Sequence, residues 1–411
     1  MRNISRRLLV AVFLVGNGIV PFSHGTLAQS AGSDTAMWGG TPQRTRVFNS
    51  SSIDSPQGMI WSSKRLFILK DELSVSNITG PLGYWFTFPS GEEYSEPVVA
   101  NGMLHFRVST DHGTLFALST KDGKEAWRIR SNFGYSNPAV ADGSLYVGDA
   151  NGTFYSLAQP TGKEQWSFTA KGRNLALSSA VVHAGTVYFN SAEPYDPTGH
   201  QRNFMSDEVL YALDAKTGAK RWEFKAEGIL TSPVVNGGLL FTSTKSGHLY
   251  ALSLDQGQVV WKADLQKILN EPMVSDGLVV VTDSNGSIWA VDEKSGSQRW
   301  KVDKENRINS SIASSQGSLI AGSKEHDIVA LDALTGAEKW RYVTKTMCYS
   351  PVIAGSVVYI SCLDKVLYAL DMKTGGEIWK YKNQSGTIAP PALAGGILYF
   401  VDHDGYAYAL R

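Results

Sequence analysis

Residues Thr231 to Leu265 read TSPVVNGGLLFTSTKSGHLYALSLDQGQVVWKADL. Four short apolar runs, PVV, LLFTS, HLYALS and VVWKA, are separated by NGG, KSG and DQGQ. Runs rich in β-branched and aromatic residues, broken by glycine-bearing turns, are strands joined by tight hairpins. No window of the chain holds a helical apolar period, so helices do not compete for these segments. The stretch predicts one four-stranded antiparallel meander.

Outward from it, the pattern recurs. A tryptophan follows a glycine by four positions at Trp127, Trp166, Trp222, Trp261, Trp300, Trp340 and Trp379, with spacings of 39, 56, 39, 39, 40 and 39. A period of this size marks an array, a solenoid or a propeller. The third strand recurs eight times, from LFAL at Leu115 to AYAL ending at Leu410. Its small residue leaves room for a neighbouring layer, and the glycine suits a turn with positive φ. Each tryptophan buries a large ring and needs one acceptor for its indole N–H. A single meander cannot cover both its faces, and twisted four-stranded sheets that stack on one another close into a propeller. The eighth copy lacks its Gly-xxx-Trp strand, whereas QGMIW, ending at Trp61, imitates QGQVVW. The expected fold is all-β: an eight-bladed β-propeller of four-stranded antiparallel blades, closed by an N-terminal strand.

Composition narrows the function. Lys+Arg and Asp+Glu balance at 38 each, so no overall field draws in nucleic acid or an anionic membrane. MRNISRR is a basic start, LLVAVFLVGNGIV an apolar core, and Thr26-Leu27-Ala28 a small-residue cleavage site, which together read as a secretory signal peptide. The apolar run is too short to span a bilayer. Ser5-Arg6-Arg7-Leu8-Leu9 loosely resembles a twin-arginine signal, plain charge being the alternative. No cysteine precedes Cys348, so a lipid-modified N-terminal cysteine is not expected. The expected organisation is a signal peptide over 1–28, an arm over 29–59 and the propeller over 60–411. A periplasmic or secreted monomer with no membrane span or lipid anchor follows. Cys348 and Cys362, the two cysteines, flank the hairpin CYSPVIAGSVVYISC and both lie seven residues from Gly355. A turn centred there sets them face to face, and an exported pair is more often bridged than reduced.

The unit SPVV-x-G-xLY, G-xLYALD and TG-xxxW, clearest in LYALDAKTGAKRWEF (Leu210 to Phe224) and LYALDMKTGGEIWKY (Leu367 to Tyr381), resembles the pyrroloquinoline-quinone-type propeller repeat. Quinoprotein alcohol dehydrogenases and BamB-like outer-membrane assembly propellers share that repeat. The first group implies a quinone stacked on a disulfide of adjacent cysteines, with calcium and an aspartate base; this chain has no Cys-Cys pair. The second implies a protein partner and no cofactor. It fits the length and blade number better, although its partner-contacting Leu-x-Leu-Arg stands here as Leu175-Ala176-Leu177-Ser178, and its acidic pair is reduced to Ala226-Glu227-Gly228. The expected function is an exported, non-catalytic protein-binding or scaffolding module. The alternative is a quinone- and calcium-dependent periplasmic dehydrogenase with a reduced site.

Polar pairs precede the first strand of each blade: Ser95-Glu96, Ser136-Asn137, Ser178-Ser179, Thr231-Ser232, Asn270-Glu271, Ser310-Ser311 and Tyr349-Ser350. First strands line a propeller's channel. Glu96, Asn137, Asn270 and Glu271 form an oxygen-rich set there that suits a hard cation or polar ligand, or else a water-filled funnel with solvated carboxylates. Asp149-Ala150-Asn151-Gly152 and Asp402-His403-Asp404-Gly405 lack an EF-hand ladder and read as hairpin turns. No histidine spacing, nucleophile elbow or phosphate loop is present. Two insertions break the rhythm. Residues Ser191 to Glu208 interrupt one blade, and the stretch between Trp61 and Ser95 carries Tyr84, Trp85 and Phe88, a docking patch or a hairpin folded on its own edge.

Overall fold

The computed structural model describes residues 53, 56, 58–63 and 95–411, apart from 109–112, 132, 134–135, 171–175, 193–207, 268, 304–307, 309 and 324. Eight antiparallel sheets form an eight-bladed propeller. Blade 1 runs Val98–Ala100, Met103–Val108, Thr114–Ser119 and Glu125–Arg130. The same order repeats through blade 7, which ends at Glu377–Lys382. Blade 3 gains a short extra strand, Ala176–Leu177, paired with the far end of Thr186–Ala192. Its third strand starts at Glu208, so the insertion sits between the second and third strands. First strands of neighbouring blades contact one another and form the inner ring.

The first hairpin is tight in blades 1 to 6 and 8 with both central residues at positive φ, whereas in blade 7 only Gly355 takes it. In blade 1 the two are Asn101 at 49° and Gly102 at 74°. The third-strand small residue has a fixed partner within its own blade. Ala117, Ser156, Ala212, Ala251, Ala290, Ala330, Ala369 and Ala409 each pair directly across the ladder with their own blade's tryptophan. A register shift follows the small residue in blades 1 to 7, a bulge that sequence spacing did not predict.

Each tryptophan then fastens its blade to the next. The indole N–H of Trp61, Trp127, Trp166, Trp222, Trp261, Trp300 and Trp340 donates to the carbonyls of Thr120, Gln159, Ala215, Leu254, Glu293, Ala333 and Met372, at 2.8–3.1 Å. The ring lies on the glycine of that neighbour's last hairpin. A Cβ on Gly257 (φ 66°) would sit 2.5 Å from Trp222, so glycine is fixed there by both conformation and contact.

Blade 8 shows how the ring shuts. Its inner strands are Ala392–Ala394, Ile397–Val401 and Ala407–Leu410, and its outer strand is Met59–Ser62. Gly58 and Arg411 exchange two backbone hydrogen bonds of 2.9 and 3.1 Å. Blade 8 therefore has no hairpin before its tryptophan strand, and Trp379 finds its acceptor elsewhere. The Ile53 carbonyl takes the Trp379 indole N–H at 2.7 Å, while the Ile53 N–H donates to the Tyr359 hydroxyl at 2.5 Å. Ile53 is itself buried.

Cys348 and Cys362 are joined by a disulfide. The hairpin turn is centred between Gly355 and Ser356 (Ala354 pairs with Val357), half a residue from the expected centre. A one-residue offset nearer the bridge restores the match, with Cys348 opposite Cys362. The corresponding pairs in other blades are Leu230 with Thr244, Leu269 with Asp283, Ile308 with Ser323 and Ile388 with Asp402. Among the described residues, no helix is long and apolar enough to cross a membrane.

Candidate functional site

The polar pairs sit where the chain enters each first strand, tied to the end of the second. The Ser95 N–H donates to the Arg107 carbonyl at 3.0 Å and the Asn270 N–H to the Thr282 carbonyl at 2.9 Å. Much of their hydrogen-bonding capacity goes from blade to blade. The Glu96 N–H donates to Asn137 Oδ1 at 3.2 Å, the Asn137 N–H to Ser179 Oγ at 3.1 Å, and the Ser311 N–H to Ser350 Oγ at 3.2 Å. In each case the second residue's side chain caps the same backbone position of the preceding blade. Ser243 Oγ likewise donates to the Asn270 carbonyl at 2.6 Å.

The four residues singled out from sequence divide into two places. Glu96 and Asn137 share the seam between blades 1 and 2. Asn270 and Glu271 belong to a group the sequence reading did not assemble. Lys245 Nζ donates to the Leu269 carbonyl at 3.0 Å and to Asn270 Oδ1 at 3.4 Å, and Asn270 Nδ2 donates to Thr282 Oγ1 at 2.8 Å. Burial pushes the Lys245 ammonium below the usual lysine range, while Glu271 and Glu208 oppose the shift. Glu208 is buried and accepts the Leu230 N–H at 2.7 Å, whereas Glu271 is exposed. Lys245 lies in the KSG segment, which reads only as a turn, and its role follows from a neighbouring blade that spacing alone does not supply.

A second group, Tyr349 and His403, joins blades 7 and 8 with a hydroxyl-to-Nε2 distance of 3.4 Å. Burial raises the Tyr349 phenol and lowers His403 to about 4, the latter opposed by Asp402 and Asp404. The acidic turns behave as turns. Asp402 Oδ1 accepts the N–H groups of Asp404 and Tyr406, both at 3.0 Å, and Asp149 Oδ1 those of Asn151 and Thr153 at 2.9 and 2.8 Å. Among the described residues, no three histidine, cysteine or acidic side chains converge as a metal cage. The bridged cysteines are 14 residues apart and are not an adjacent-cysteine pair. Glu227 is exposed and ion-paired with Lys262 at 3.0 Å. Leu175, Tyr84, Trp85 and Phe88 lie outside the described residues.

This architecture defines the class: a closed eight-bladed propeller of the Gly-xxx-Trp repeat type. Residues 51–194 and 206–411 match the family described as outer membrane protein assembly factor BamB, and the chain belongs to that family. An outer membrane protein assembly factor BamB from Moranella endobia is 26% identical over 163 residues, 38% of this chain and 40% of that relative. The aligned part is thus well under half of the relative's own length. BamB from Moraxella catarrhalis superposes with a TM-score of 0.61 at 17% identity, over 77% of this chain and 94% of that one. A quinohemoprotein alcohol dehydrogenase from Pseudomonas putida reaches a TM-score of 0.67 at 14% identity, over 92% and 80%. Likeness at these identities speaks for the fold alone.

Proposed function

We propose that this chain is an exported, non-catalytic propeller that binds a protein partner in outer-membrane protein assembly. The observation that carries the reading is family membership across nearly the whole ring, from residue 51 to residue 411. The use of first-strand polar groups supports it. Asn137, Ser179 and Ser350 are spent on seams between blades, so they serve closure before any ligand. A periplasmic site of action and a monomeric state belong to the same reading. The quinoprotein alternative asks for an adjacent-cysteine disulfide, and the bridged cysteines of this chain lie 14 residues apart.

Deleting the gene in its host tests the proposal: folded β-barrel proteins in the outer membrane should fall, and return with the intact gene. Unchanged barrel levels would sink it. The enzyme reading has its own assay. Purified protein given pyrroloquinoline quinone and calcium should not reduce dye with alcohols or sugars. Quinone-dependent turnover that vanishes in Glu96→Gln or Glu271→Gln would replace our reading with the dehydrogenase.

A further inference from the structure

The seam between blades 4 and 5 contains a charged clasp. Asn236 ends the first strand of blade 4, and Gly237 (φ 53°) and Gly238 (φ 82°) make the turn after it. Across the seam, Asn236 Nδ2 donates to Glu293 Oε1 at 2.7 Å. The same Glu293 gives its carbonyl to the Trp261 indole at 2.9 Å, so one residue carries both fastenings. Its carboxylate lies against the turn: a Cβ on Gly237 would meet Glu293 Oε1 at 2.9 Å. The seam between blades 1 and 2 has a neutral counterpart, with the asparagine one position later, in the turn itself. There Asn101 Nδ2 donates to Gln159 Oε1 at 2.7 Å, and the Gln159 carbonyl takes the Trp127 indole at 3.0 Å.

We propose that Asn236 is a site of spontaneous deamidation, and that the product unclasps blades 4 and 5. The step is intramolecular. The Gly237 nitrogen attacks Asn236 Cγ, a C–N bond forms as a five-membered imide, and ammonia leaves. Water then opens the imide to aspartate or isoaspartate, so one water is consumed and one ammonia released. Glycine permits the attack because no side chain shields its nitrogen. Asn236 is half-buried and Gly237 exposed, so water reaches the bond.

The consequence follows from charge. An aspartate at 236 sets a second carboxylate against Glu293, turning a donor–acceptor pair into a like-charge contact. The nearby Arg299 is already held by Asp292 at 2.7 Å. Deamidation of Asn101 instead faces the neutral Gln159 amide and creates no such repulsion.

The test ages the purified full chain at mildly alkaline pH beside the free peptide VVNGGLL. Peptide mass spectrometry should find deamidation at Asn236 in the folded chain, with a melting temperature that falls as the product accumulates. Asn236→Asp should reproduce the loss at once, Asn101→Asp should lose less, and Glu293→Gln combined with Asn236→Asp should recover most of it. A folded chain that stays intact at Asn236 while the peptide converts overturns the site. An Asn236→Asp variant that melts with its parent overturns the clasp.

Discussion

Replacing Trp61 by alanine should open the ring at one place. Trp61 is buried, its N–H is paired with the Thr120 carbonyl at 2.8 Å, and its ring lies on Gly123. Truncating a buried aromatic costs about 3–5 kcal/mol. The orphaned Thr120 carbonyl adds roughly 1 kcal/mol. An unfolding entropy of about 2 cal/mol/K per residue over the propeller turns that sum into a fall in Tm of roughly 5–8 °C. Trp261→Ala is the matched control, because its indole pairs with Glu293 at 2.9 Å and rests on Gly296 in the same way. The global cost should be similar, but the local behaviour should differ. The Trp261 strand is tethered by its own hairpin, whereas Met59–Ser62 reaches blade 8 by pairing with Ala407–Leu410 and by the Trp61–Tyr399 ring contact, without a hairpin. Limited proteolysis should therefore cut near Met59–Ser62 in Trp61→Ala well below its melting temperature, and leave Trp261→Ala whole until it melts. A Trp61→Ala protein that melts with the parent, or is cut no sooner than Trp261→Ala, refutes the closure argument.

Stability should fall with acid. His105 is buried, and burial lowers its imidazole from 6.5 to about 3, so only the unfolded chain takes up the proton across that interval. The stability is full above pH 6.5 and is lost as pH falls toward 3; His105→Phe, the residue type of blade 4 at Phe241, should flatten urea-denaturation midpoints over that range. Denatured, non-reduced protein should show no free thiol, and Cys348→Ser/Cys362→Ser should lose about 3 kcal/mol in the loop-entropy model. Two thiols per chain would remove the bridge.

The repeat made blade number, strand order and the closing strand readable, because glycine and tryptophan recur at positions where only they fit. What spacing missed lies between blades. The bulge after Ala251 leaves no residue signature of its own. Ile53 carries no motif, since it contributes backbone atoms to Trp379, and backbone partners are invisible in side-chain patterns. Lys245 joins Asn270 from 25 residues away, across a seam whose geometry comes only with ring closure. The polar pairs were legible as a ring, but their use as caps on neighbouring backbones was not.

The two-ended make-up of blade 8 also sets a timetable. Ile53 and Trp379 meet although they lie 326 positions apart, so this fastening waits until nearly the whole ring has been made. Until both are present, the unfinished circle has a bare ladder at each end, open to a neighbouring chain. Circularity here is a property of the finished chain, and a chain halted between the two partners stays an open arc.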